Sequence, residues 1–302
     1  KENPLTARAF VNRTWKLFFG YGLSRRMDDL GGQGEPPTHP ELLDHLASEF
    51  RDGGWDVKSL IRNIVTSKAY RQDSLPRGNL AKDDPENRYY ARQSRFRVDA
   101  EFVRDSALSI SGLLVQKIGG KSVKPYQPAG YWQHLNFPAR KWQAGKGDEL
   151  YRRSLYTFVC RSFPHPAMVA FDAPSREECA AERPRSNIPQ QALVLLNDPV
   201  FVEAAKSLAE RLLKEGEATD TKRLEKIFSI ALTRKPTKQE QIILLDHLAE
   251  QRKRYKEDEK SAIELLSTGA KPVDKSLHSS ELAAWTSVSR AMLNLYETTG
   301  RF

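Results

Sequence analysis

Cysteine is scarce in this chain, and long apolar runs are missing altogether. Only Cys160 and Cys179 occur in 302 residues, and they lack the C-x-x-C spacing of a metal site. C-x-x-C-H is absent too, which excludes a covalent haem on the chain itself, so no cofactor of its own is expected. In an oxidising compartment the two cysteines can bridge; in the cytosol they are two semi-buried thiols. No apolar run approaches the roughly 20 residues that a membrane-crossing helix needs. The chain opens on Lys1 rather than methionine and shows no signal peptide, as expected of a piece excised or processed from a longer protein.

The signatures of common chemistries are missing as well. The six histidines are His39, His45, His134, His165, His247 and His278, and none forms H-E-x-x-H. No G-x-S-x-G surrounds Ser154, Ser175 or Ser186, and no G-x-G-x-x-G follows a strand pattern. Gly120-Lys121-Ser122 looks like the end of a phosphate loop, but the required glycine is replaced by Val115.

Charge, by contrast, is plentiful. Lys plus Arg number 48 against 39 Asp plus Glu, a net +9, with 39% hydrophobic residues. The surplus favours acidic partners: nucleic acid, anionic glycan or an acidic protein surface. With acids interspersed throughout, an inert basic surface explains it equally well.

Periodicity is helical almost everywhere. Asn3 and Pro4 open a helix with Val11, Trp15, Phe18 and Phe19 on one face, stopped by Gly20 and Gly22. Thr38 with Glu41 reads as a capping box, with Leu43, Leu46 and Phe50 inward to Gly53; Asp56 starts a third helix. Ala107, Ile110 and Leu114 mark a fourth. A short buried helix is expected from Pro189 to Leu196, then one after Asn197-Asp198-Pro199 with Phe201, Leu208 and Leu212 inward. Thr221 opens the next, and Thr237 with Glu240 gives another capping box. Gln251 to Lys260 reads as a solvated arm or a break, and Leu282 to Leu295 is the last stripe. Leu155 to Cys160 fits a short strand or a helix. The fold expected is mostly α: an irregular multi-helix domain with a loop-rich central segment and little or no β. It is one domain, or two subdomains at 1–118 and 189–302 about a centre at 119–188.

That centre carries the candidate chemistry. Gly119 to Gly147 is rich in Pro, Gly and aromatics, with Tyr126, Tyr131, Trp132, Phe137 and Trp142 forming either a stacking surface or a mini-core of their own. Phe171 to Pro199 is the densest polar run, and charges led into a buried segment must be paired or hydrogen-bonded. Arg152, Arg153, Arg161, Arg176, Arg183 and Arg185 can bind carboxylate, sulfate or phosphate, or pair with the chain's own Asp172, Glu177, Glu178 and Glu182. Arg88 to Arg104, interleaved with Tyr89, Tyr90 and Phe96, has the composition of a nucleic-acid platform, although Glu86, Asp99 and Glu101 offer local partners.

The segments NPLTARAFVNRTWKLFFGYGL, GEPPTHPELLDHLASEF, YRRSLYTF, FDAPSREECAAERPRSNIPQQALVLLNDPVFVEAA and ELAAWTSVSRAMLNLYET together resemble one family from end to end. It is the C-terminal domain of the planctomycete cytochrome-associated proteins, domain of unknown function 1553. Where this chain has His45, the family usually has Trp; where it has Ser186 and Ile188, the family usually has Thr. The resemblance implies an exported, extracytoplasmic parent, often with a c-type cytochrome domain, and a part in handling complex polysaccharides. It carries over no catalytic residues. The expected function is therefore binding or docking, to acidic polysaccharide or to other domains of the parent. The candidate residues are Arg153, Asp172, Arg176, Glu177, Arg185, Asn187, Gln191 and His39, with no metal. The alternative is a hydrolytic or redox-linked enzyme in which His39, His134 or His165 completes a site near Asp172. Nucleic-acid binding is the weaker third.

Overall fold

Asn3 opens the fold. In the computed structural model, which describes residues 3–128, 130–134, 141–161, 163–216 and 219–302, its side-chain oxygen accepts from the Leu5 and Thr6 amides and starts helix α1, Pro4–Phe19. Gly20 ends α1 with φ +82°, a conformation glycine adopts freely, and a Cβ there would meet the Phe96 ring at 2.8 Å. Helices α2 (Pro40–Asp52) and α3 (Val57–Thr66) follow, the latter capped by Asp56 as the sequence suggests. The Thr38–Glu41 capping box does not form. Thr38 is drawn back to Leu23, whose carbonyl accepts its amide at 3.0 Å, and His39 becomes the residue before α2, without a capping bond. A short α4 (Leu80–Asp83) precedes strand β1 (Phe96–Arg97), which pairs antiparallel with β2 (Gly300–Arg301).

The chain divides into two compact units. The first comprises Lys1–Arg97, Cys179–Glu182 and Gly300–Phe302; the second comprises Val98–Glu178 and Arg183–Thr299. In the first, Val11, Trp15, Phe19, Leu43, Leu46, Phe50, Leu60 and Ile64 make one core. Tyr90 closes it edge-on to Trp15 and Phe19, with its hydroxyl donating to the Gly22 carbonyl at 2.9 Å.

The second unit holds α5 (Ala100–Ser111), α6 (Pro166–Ala170), α7 (Pro189–Asn197), α8 (Pro199–Lys214), α9 (Asp220–Leu232), α10 (Lys238–Glu257), α11 (Glu259–Leu266), α12 (Ser279–Leu293) and α13 (Tyr296–Thr299). Helix α8 is its axis: twelve of its residues are buried, and both its cores touch it. Leu208, Leu212, Phe228 and Trp285 lie in one, Val103, Met168, Phe171 and Phe201 in the other. Asp198 caps α8 through the Val200 amide, and the Thr237–Glu240 capping box forms in both directions. The apolar-poor stretch after Gln251 is a break, not an arm. It stays helical to Glu257 with Tyr255 buried, then Asp258 interrupts it and caps α11. Helix α7 turns only Gln191 and Leu195 fully inward, so it is less buried than expected. Leu155 to Cys160 contains neither a strand nor an α-helix; a 3₁₀ turn spans Ser154–Tyr156, and Thr157 bridges Val123. Among the described residues the chain is mostly α, with only two two-residue strands, and no helix is long and apolar enough to cross a membrane.

Candidate functional site

The loop-rich centre of the second unit is held from beneath by an arginine. Arg104 on α5 is fully buried, because its guanidinium finds acceptors that were invisible in the sequence. It donates to the Arg152 carbonyl (2.9 Å), the Leu150 carbonyl (2.5 Å) and Ser154 Oγ (3.2 Å). Burial lowers its pKa to about 10, leaving it charged at neutral pH. Its neighbour Asp105 accepts from the Ser154 amide at 2.7 Å and lies 3.6 Å from Arg153. Arg152 donates to the carbonyls of Lys117 and Gly119 and stacks on the Tyr156 ring at 3.9 Å. These arginines shape loops.

The aromatics of the same segment form a mini-core. Trp132 stacks on Trp142 at 5.3 Å, and Tyr131 and Trp132 both pack on Phe163. Phe137 and the side chain of His134 lie outside the described residues.

The expected polar network exists in part. Asp172, at φ +62°, accepts from the Ser186 amide (2.8 Å) and hydroxyl (2.7 Å), and Gln191 donates to the Ser186 carbonyl at 3.2 Å. Ser186 is therefore the knot of this loop. Arg183 pairs with Glu101 at 2.7 Å and Asp99 at 3.5 Å. Glu177 meets Arg161 at 3.5 Å on the surface, where such a pair contributes little. Arg185 and Asn187 are exposed. His39 belongs to the first unit, bonded to Thr38 and near the rings of Tyr89 and Tyr90.

What the second unit does bring together is a cavity of about 50 Å³ lined by Glu101, Ser154, Thr157, His165, Met168 and Arg176. Arg176 edges it from an exposed turn at φ +62°, a left-handed conformation that costs of order 1 kcal/mol outside glycine. Among the described residues it has no ion-pair partner. His165 is 95% buried at the cavity wall, since its relative exposure is 5%, and its Nε2 sits 2.6 Å from the Tyr126 carbonyl. Burial first, and Arg104 second, lower its pKa to about 4 against the pull of that bond. The imidazole is neutral at pH 7. Among the described residues, its Nδ1 and the Thr157 hydroxyl are both buried without a hydrogen-bond partner.

A second polar cluster lies on α8. Glu203 accepts from the Tyr151 hydroxyl at 2.8 Å and the Lys271 amide at 2.6 Å. Lys206 Nζ donates to the carbonyls of Leu266, Thr268 and Lys271 at 2.8–3.0 Å, and Lys271 pairs with Glu210 at 2.8 Å. Burial and the Glu203 carboxylate raise Tyr126 to about 12 and Tyr151 further still, so both phenols stay protonated. The cluster latches the loop after α11. Gly269 in that loop, at φ +90°, leaves space that a Cβ would take from Glu203. Sequence reading missed this face, for the polar residues of α8 look like its solvent side.

Among the described residues, no three His, Cys, Asp or Glu side chains converge as metal ligands. Cys160 and Cys179 are free thiols. No curated protein and no solved structure matches the chain. A family model described as a protein of unknown function, DUF1553, matches residues 1–248, and the chain belongs to that family.

Proposed function

We propose that the second unit is a binding module for anionic chains, an acidic polysaccharide foremost, with Arg176 as its first contact. The observation that carries this reading is an arginine with no ion-pair partner among the described residues, held in a strained turn at the edge of a cavity. Strain at an exposed charged residue is best understood when the residue's direction matters. An extracytoplasmic setting goes with such a ligand.

A basic concavity of this unit lies along α9, lined by Lys222, Lys226, Arg234 and Lys235 together with Glu225. Arg234 is committed there to Glu240 and Glu297, and Lys226 to Glu215. It serves as the natural control. The enzyme alternative near Asp172 has less support, because that carboxylate is occupied by Ser186. Nucleic-acid binding through 88–104 is weakened similarly: Arg88 pairs with Glu35, Arg92 donates to three backbone carbonyls, and Arg104 is buried. Docking onto another domain of a longer parent, such as a c-type cytochrome domain, is the second reading, favoured by exposed Ile242 and Ile243 on α10.

Calorimetric titration with polygalacturonate at increasing salt tests the proposal. Affinity is expected to fall as salt rises, and Arg176→Ala to weaken it about tenfold, the loss of one charge-assisted hydrogen bond. Salt-insensitive binding, or binding lost in Lys222→Ala with Lys235→Ala instead, counts against this site.

A further inference from the structure

We infer that the cavity beside Arg176 takes an acetyl substituent carried by an acidic sugar chain. The inference rests on the binding module just proposed and names the group that its ligand presents. Phe158, Val159, Pro164, Met168, Ala173 and Pro174 supply most of the wall. The polar side chains of the wall, Arg176 apart, are spent or sealed. Ser154 Oγ accepts from Arg104, Glu101 pairs with Arg183, and His165 Nε2 meets the Tyr126 carbonyl. His165 Nδ1 and the Thr157 hydroxyl are closed off from solvent, so neither offers a polar atom to an occupant. The backbone is similarly committed. The amides of Thr157, Phe158 and Ala173 donate to the carbonyls of Ser154, Val123 and Met168, and Pro164 and Pro174 have no N–H.

Such a wall selects an occupant that asks for no hydrogen bond. An apolar group gains by leaving water there, whereas a carboxylate or an ammonium would lose its hydration with nothing to replace it. Size bounds the occupant further. A volume of about 50 Å³ admits roughly three or four water-sized groups, at about 10–15 Å³ each, so one small substituent enters and the sugar ring stays outside. Arg176 adds the second condition. It is exposed at the cavity edge, where a guanidinium matches an anion. A methyl ester would neutralise the very carboxylate that Arg176 needs, but an acetyl on a sugar hydroxyl leaves that charge intact. The acetyl methyl then fills the pocket, its carbonyl oxygen stays in water at the mouth, and the uronic carboxylate lies on Arg176.

O-Acetylated polygalacturonate and the same chain after mild alkaline deacetylation differ in this substituent alone. Calorimetry at matched carboxylate concentration should show about tenfold tighter binding of the acetylated chain, the scale for burying roughly two methyl-sized groups. Ala173→Leu, which fills the pocket with an apolar side chain, should lose that preference while keeping its affinity for the deacetylated chain. The wild-type protein supplies an independent readout, for of its three methionines Met168 alone lines this cavity. Its carbon-13 methyl signal should shift with the acetylated chain and stay in place with the deacetylated one. Equal affinities together with an unmoved Met168 signal overturn the acetyl pocket and leave the Arg176 reading standing. Failure of both chains to bind overturns both. A preference that survives in Ala173→Leu places acetyl recognition elsewhere, and the pocket falls. A peptide ending in a valine carboxylate that moves Met168 and binds tighter than the acetylated chain assigns the pocket to a protein tail, which overturns the sugar.

Discussion

His165 and Asp198 are pushed in opposite directions by the same cause, and the consequence is a stability profile with two opposed slopes. Burial lowers the imidazole to about 4 from an ordinary 6.5 and raises the Asp198 carboxyl to about 6 from 3.8. For His165 the folded state favours the neutral ring. That contribution is complete above pH 6.5 and is lost as pH falls toward 4. For Asp198 the folded state favours the protonated acid, so its contribution is complete below pH 3.8 and is lost as pH rises through 6. Between pH 4 and 6 the two offset each other. Asp198→Asn keeps the cap on α8 while removing the titration. Its stability should fall more steeply than wild type between pH 6 and 4, by up to about 3 kcal/mol from His165 alone. His165→Gln should become more stable across the same interval. Urea unfolding at pH 7, 5.5 and 4.5 checks both, and parallel profiles for all three proteins would refute the assignment.

Elements divide by whether their determinants are local. Asn3, Asp56, Asp198 and Thr237 cap as the sequence suggests, because a cap needs only its own helix within three residues. Thr38 fails for the converse reason: a carbonyl fifteen residues back competes for it. The site shows the same split. The run around Asp172 was readable as a polar knot because Ser186 and Gln191 lie close in sequence. Arg104 was not, since its acceptors, two backbone carbonyls and the Ser154 hydroxyl, lie some 46–50 residues away. The buried ammonium of Lys206 was hidden likewise, its three acceptors arriving from the last residue of α11 and the loop after it. That loop is where α8 is most exposed to test. Lys206→Met keeps the length of the side chain but strips three carbonyls of their donor and leaves Glu203 and Glu210 with one cation fewer. A loss of about 3 kcal/mol is expected, the scale for breaking a buried polar pair. Hydrogen exchange should localise the loosening to 266–277. A variant as stable as wild type would show that the loop holds without its latch.

For the whole molecule, the presence of separate cores is the main consequence. The first unit rests on Val11, Trp15, Phe19 and their partners from α2 and α3, with Phe19 fully buried. The second rests on α8 and α12, where Trp285 is fully buried. The two clusters share no residue, so each is expected to melt as a unit of its own. Calorimetry of the intact chain is therefore expected to resolve two transitions. Phe19→Ala removes a ring from the first core, a change that costs about 3–5 kcal/mol. It should lower one transition by more than about 10 °C, given the small size of that unit, and leave the other in place. Trp285→Ala should do the reverse. If both substitutions instead move a single transition, the two cores fold as one cooperative system. Ligand then discriminates further: polygalacturonate binding at Arg176 must raise the transition that Trp285→Ala lowers, since a ligand stabilises only the unit whose folded state it binds.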